Sequence, residues 1–195
     1  MDTVTVFTDQ MRRVNAILHD LAHDLTPDEW TARPGAGQNR LGFTLWHVPA
    51  SEDWFVHTWI RNVTEVRDRE PWAPWAGLNR LGLAFGIGLS EADAIAQAVE
   101  PARMLAYADA ELAEVIAWLR SVTAADLGRV PDNRAHLARH PAYRSAEYLA
   151  AVEGMWDDPV GALLAADIGH ARGHLGEARL VKELVRGRAE LLSKV

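Results

Sequence analysis

Three pairs of histidines stand four residues apart in this chain: His19 and His23, His136 and His140, and His170 and His174. On an α-helix that spacing puts two imidazoles on one face, about 6 Å apart along the axis and about 40° apart around it. Two such rings can share one divalent metal ion, and that is the chemistry the pattern offers. Three occurrences make the pair itself a weak signal, so the faces must decide.

The first pair lies on the wrong face. Phe7, Met11, Val14, Leu18, Leu21 and Leu25 form one apolar stripe at alternating spacings of four and three. At about 100° per residue, His19 and His23 fall well away from its centre. Asp20 and Asp24 flank them, as on a solvated face. His136 and His140 stand among Asn133, Arg134 and Arg139, just before Pro141, with no sustained periodicity. They read as a polar loop or short turn, although a loop can still border a site.

His170 and His174 differ, because they share a face with Val160, Leu163, Ala171, Ala178, Val181 and Val185. Buried imidazoles need partners, and one metal ion satisfies two of them at once. His47 shares a face with Phe43, Ala50 and Trp54, so it too points inward. Facing helices of a bundle assemble metal sites from such side chains. Three neutral imidazoles and an open position suit Zn²⁺, Ni²⁺ or Fe²⁺ and typify catalytic sites. Asp167 and Glu177 fall close to the same face as His170 and His174. Either can orient a ligand imidazole through its other nitrogen or serve as a base. An ordinary salt bridge is the competing reading for each.

The elements that must position these residues are helices. Periodicity predicts a first helix over about Val4 to Leu25, then a short turn opened by Thr26 and Pro27. A second, aromatic-rich helix should cover about Leu41 to Val66, with a kink or local break at Pro49. Residues 70–89 read as a long irregular connection. Ser90, Glu91, Ala92 and Asp93 resemble a capping box opening a third helix, about Glu91 to Ser121, bent by Pro101. Thr123 begins a short helical turn, residues 129–145 are loop-like, and Ala146 to Val152 form a short helix. The last long helix should run from about Pro159 to Leu192. No alternating segment of strand length competes, so the expected fold is all-α, a four-helix bundle with long connections. At 195 residues it should form one domain spanning 1–195.

Composition narrows the function classes. A formal charge of −7 argues against nucleic acid as a partner. No apolar run approaches the roughly 20 residues that span a bilayer, which argues against a membrane. The start of the chain lacks the basic and apolar stretches of a signal peptide, so a cytoplasmic location is expected. There are no cysteines, which excludes disulfides, Cys-ligated zinc and a protein thiol nucleophile. Any thiol chemistry therefore needs a thiol carried on a small molecule.

Leu45-Trp46-His47-Val48, followed by Glu52 and Trp54-Phe55, resembles the second-helix motif of the DinB-like (YfiT-like) metalloenzyme superfamily. His170-Ala171-Arg172-Gly173-His174-Leu175-Gly176-Glu177 resembles its last-helix motif, HxxxHxG followed by Gln or Glu. The resemblance runs along nearly the whole chain in helix order, with its specific residues concentrated in those two motifs. It implies a four-helix bundle, often a homodimer, in which His47, His170 and His174 bind one divalent metal. Relatives of this kind include mycothiol-dependent maleylpyruvate isomerases and bacillithiol- or mycothiol-dependent S-transferases. Pro49 departs from the usual pattern, and Asp167 is not a residue of the family motif.

The leading functional expectation is metal-assisted transfer of a low-molecular-weight thiol, of the mycothiol type, to a small electrophilic substrate, or use of that thiol as a cofactor in an isomerase-like reaction. Hydrolysis by metal-activated water is the second. The third is a non-catalytic bundle that binds a metal or small ligand. Trp72 and Trp75, in the long connection, are candidates for a pocket mouth or a dimer contact.

Overall fold

In a computed structural model, residues 2–73, 87–132 and 153–188 are described, and every regular element among them is helical. Helix α1, Thr3–Ala22, is capped by Asp2, whose carboxylate accepts from the Thr5 amide. It ends before Leu25 because Thr26 already opens α2, Pro27–Thr31, through a reciprocal capping box with Glu29. Helix α3, Leu41–Asp53, passes through Pro49 without interruption. The change of pitch comes later, as a π-helical turn over Trp54–Ile60. This helix therefore ends at Ile60, short of the expected Val66, and just after it Asn62 adopts a left-handed φ of 55°.

The expected third helix is two helices. Helix α4, Leu89–Ala98, and α5, Pro101–Leu119, are separated at Val99 and Glu100, with Pro101 at the start of the second. Proline offers no amide to continue α4 but suits a first helical turn. The capping box expected at Ser90 is absent: Gly88 is the N-cap and makes no side-chain bond. Asp93 is instead held by Arg33 at 2.6 Å and Arg40 at 2.9 Å. Helix α6, Ala124–Leu127, follows its Thr123 cap, and a 3₁₀ turn covers Glu153–Met155. Helix α7, Val160–Val185, is the last among the described residues. The expected helix at 146–152, the end of α7 beyond 188, and Trp75 lie outside the described residues.

Among the described residues, the long helices α1, α3, α5 and α7 pack as a ring in which α1 and α3 each touch both α5 and α7. Gln10 meets Arg172 and Leu21 meets Lys182, so α1 and α7 run parallel. Thr3 and Val4 face Leu119 and Arg120, while Asn15 bonds Asp109, so α5 is antiparallel to α1. His47 meets His174 and Ser51 meets His170, so α3 is antiparallel to α7. Helices α3 and α5 are then parallel neighbours, with Tyr107 on Asp53 and Arg61 over the ring of Trp118. Parallel neighbours cannot be joined by a short turn, which is why a long return separates them. Residues 74–86 of that return lie outside the described part.

Every residue from Leu41 to Ile60 is buried. Helix α3 is thus the centre of the core, buried on all sides where the others are striped, with His47, Ser51, Glu52 and Asp53 enclosed among its apolar residues. Two anchors fix its neighbours. Asp53 accepts from the amides of Val66 (2.9 Å) and Arg67 (3.0 Å) and from the Tyr107 hydroxyl (2.7 Å). The buried Lys182 donates to the Leu21 carbonyl at 2.8 Å and to Asp24 at 2.6 Å, which closes the C-terminus of α1 and sets the height of α7. Trp72 packs half-buried on Tyr107, ring centroids 5.8 Å apart, an internal contact. Among the described residues no helix is long and apolar enough to cross a membrane.

Helix α2 reaches the core through Trp30, which lies across Gly42 and donates from Nε1 to the Ala96 carbonyl at 2.8 Å. A Cβ at position 42 would fall inside the Trp30 ring, and the hydrogen bond prevents the ring from retreating. Gly42→Ala is expected to cost about 2–3 kcal/mol in urea denaturation. Stability equal to wild type would contradict this packing.

Candidate metal centre

Antiparallel α3 and α7 place His47 opposite His170 and His174. The Nε2 atom of His170 lies 3.2 Å from that of His47 and 3.1 Å from that of His174. The rings stand nearly perpendicular to one another, at 75°, 85° and 82°. With metal–nitrogen bonds of about 2.0–2.1 Å, ligand nitrogens sit about 3.3 Å apart on a tetrahedron and about 2.9 Å apart on an octahedron. The observed spacings fall between these limits. These three histidines can hold one metal ion, and among the described residues they are the group that meets the spacing a shared ion requires.

The outer nitrogens fix the tautomers. His174 Nδ1 lies 2.7 Å from a Glu177 carboxylate oxygen, which can only accept, so Nδ1 carries the proton. Ser51 donates its hydroxyl proton to the Val48 carbonyl at 2.9 Å, leaving its oxygen to accept from His170 Nδ1 at 3.4 Å. Both rings therefore turn a lone pair toward the centre, an assignment made from their partners. The ring of His47 stacks on Phe43 with centroids 5.8 Å apart, and its buried Nδ1 has no hydrogen-bond partner.

Burial favours the neutral rings. It pushes His47 down to about 3, with the nearby His170 and His174 adding to the effect. It likewise pushes His170 down to about 4, helped by His174 and opposed by Glu177. The His174 side chain remains 29% exposed, so the site opens to solvent on that side.

The expected ligands come together, with two corrections of position. His170 and His174 lie at the half-buried edge of the α7 stripe, whose buried members include Leu164, Ile168 and Leu175. Val185, assigned to that stripe, is exposed because the helix end leaves the core. Glu177 touches the imidazole of His174. Asp167 contacts none by hydrogen bond and is buried in the bundle interior. His19 is half-buried and bonds Asp109 at 2.8 Å, while the exposed His23 bonds the carbonyls of its own helix. His136 and His140 lie outside the described residues. Ser51 and the Phe43 stack were missed by sequence reasoning. A hydroxyl four residues after His47, one helical turn on, was the only available hint of Ser51.

The sequence profile of the DinB superfamily matches residues 10–178. The chain belongs to the DinB superfamily. The match takes in the greater part of α1, all of α3 and α5, and the part of α7 that carries both histidines. No curated protein matches this DinB-superfamily chain.

Two outcomes test the centre. Glu177→Gln keeps the shape but removes the charge behind His174, and should weaken Zn²⁺ binding about tenfold in competition titration. Unchanged affinity would deny the carboxylate that role. The folded pKa of His47 lies below the unfolded value near 6.5, so its neutral form contributes stability fully above that pH. The contribution is lost as pH falls toward the folded value. Metal-free His47→Phe should therefore lose roughly 3 kcal/mol less than wild type between about pH 6.5 and 4. Parallel pH profiles would contradict the buried neutral ring.

Proposed function

We propose that this DinB-superfamily protein is a divalent-metal-dependent enzyme that transfers a low-molecular-weight thiol to a small electrophilic substrate. The observation that carries the reading is the donor set. Three imidazole nitrogens from two helices face one point, and the side next to His174 is open to solvent. Closed structural sites fill four positions from the protein, whereas three ligands and an opening typify catalysis. Zn²⁺, Ni²⁺ and Fe²⁺ all suit three nitrogens. Bound there, such an ion supplies Lewis acidity that stabilises a thiolate or hydroxide at neutral pH.

The chain's own residues do the rest. His47, His170 and His174 hold the ion, and Glu177 and Ser51 fix the ring orientations. Glu177, exposed beside His174, is also placed to accept a proton at the mouth of the site. The thiol sulfur forms the new bond to the electrophilic carbon as the leaving group departs with its electron pair. The absence of any cysteine fits a thiol brought in from outside, and the resemblance to mycothiol- and bacillithiol-dependent enzymes supports that class. The same resemblance carries the proposal of a homodimer.

Zinc-loaded protein mixed with chlorodinitrobenzene and a low-molecular-weight thiol should release chloride only when thiol and metal are both present. His170→Ala should reduce the rate at least a hundredfold (about 2.7 kcal/mol). Thiol-independent turnover of a chromogenic ester, with no thiol transfer, would replace this reading with a metal-dependent hydrolase.

A further inference from the structure

The bundle interior holds three carboxyl groups that the imidazole centre leaves unused. Glu52 of α3, Glu111 of α5 and Asp167 of α7 are 6%, 1% and 1% exposed. One buried oxygen of each has no hydrogen-bond partner: Glu52 Oε1, Glu111 Oε1 and Asp167 Oδ1. The three are electrostatic neighbours. Burial, then the charge of Asp167, pushes Glu52 well up, and burial, then Glu52, Asp53 and Asp167, does the same to Glu111. The group borders the metal centre. Asp167 precedes His170 by three residues on α7, and Glu52 follows Ser51, whose hydroxyl faces His170.

The surrounding charges make the position worse for carboxylates. From α3, Asp53 is held ionised below its ordinary range: burial works against this, but His57, Tyr107 and the Val66 amide outweigh it. From α5, the Tyr107 hydroxyl donates a hydrogen bond to Asp53, and Glu114 adds another negative group. The Arg67 guanidinium, from the 3₁₀ turn at Val66–Asp68, lies 2.7 Å from Glu65. Among the described residues no lysine or arginine forms a salt bridge with Glu52, Glu111 or Asp167.

Buried carboxyl groups in this situation need either a cation or protons. The donor spacing that would let three groups share an ion occurs, among the described residues, at the imidazoles and not here. We propose that Glu52, Glu111 and Asp167 form an internal proton-holding site, in which carboxyl groups from three helices are kept as neutral acids beside the metal centre. Burial lifts Asp167 to about 7, which makes it the member that gives and takes a proton near neutrality. A reaction that frees a proton at the centre, such as ionisation of a thiol, then has an acceptor inside the bundle. That use rests on the proposed function; the proton-holding site itself does not.

Infrared spectra of the full chain, with and without Zn²⁺, read the protons directly. At about pH 6, where exposed carboxyls are ionised, the carbonyl stretch of a protonated acid should persist. Part of it should disappear through pH 7 and be absent from Asp167→Asn. Only ionised carboxylates at about pH 6 would overturn the proposal. Stability gives a second reading. A raised folded pKa means the folded chain binds the extra proton, so this contribution falls as pH rises from about 4 through 7. Asp167→Asn should therefore gain in urea midpoint relative to wild type over that range, and a relative loss would overturn the proposal. Failure of the thiol assay leaves both measurements intact, and their failure leaves the assay intact.

Discussion

Two imidazole lone pairs aimed at each other across 3.1 Å are the constraint on which the rest of this structure depends. Glu177 accepts a hydrogen bond from Nδ1–H of His174 and Ser51 from that of His170, so neither ring has a proton left to offer the other. Burial holds His170 in its neutral form and leaves the repulsion in place. His47 brings a third nitrogen to the same point. A divalent cation relieves the arrangement in one step, giving the facing lone pairs of His170 and His174, and the Nε2 of His47 beside them, a common partner. Such a cluster is costly without its ion, which is the mark of a site built for something that binds there.

The scaffold holds this geometry from a distance. Helix α3 is enclosed on every side, so His47 has little freedom to swing away. Helix α7 has an open edge, and its height is fixed by Lys182 and Arg186 clasping the end of α1 and the start of α2. Arg186 reaches Asp24 at 2.9 Å and Glu29 at 2.6 Å, and both carboxyls are held below their ordinary range by these contacts. The parallel pairing of α3 with α5 adds a consequence of its own. It brings Glu52 and Glu111 to the same part of the interior, where Asp167 of the antiparallel α7 meets them.

The chain's periodicity made the long helices and two of the ligands legible. On α7 the stripe of Leu163, Ala171, Ala178 and Val181 is real, and His170 and His174 sit on its margin. On α3 the inward direction of His47 was the right conclusion from a weaker argument, because a helix buried all round gives every residue an inward face. Pro49 and Pro101 look alike in sequence. One is absorbed within a continuous helix and the other starts a new one, a difference set by where the surrounding chain has to go. Asp93 looked like a helix cap until two arginines from a distant loop claimed it. Asp167 and Glu177 stood on equal terms in the sequence. Only the meeting of three helices shows that one supports an imidazole and the other is sealed among carboxyls. The DinB-superfamily motifs name the imidazoles but carry no signal for Ser51 or Glu111, whose roles depend on neighbours more than fifty residues away.

The chemistry of the site requires that those three rings share one ion. Elemental analysis and X-ray absorption of the purified chain, loaded with Zn²⁺ and freed of excess, address this most directly. The prediction is one zinc per chain with a first shell containing three imidazoles, and loss of that zinc in His47→Ala despite an unchanged helical spectrum. Stoichiometric zinc retained by His47→Ala, with the same imidazole count, would contradict it.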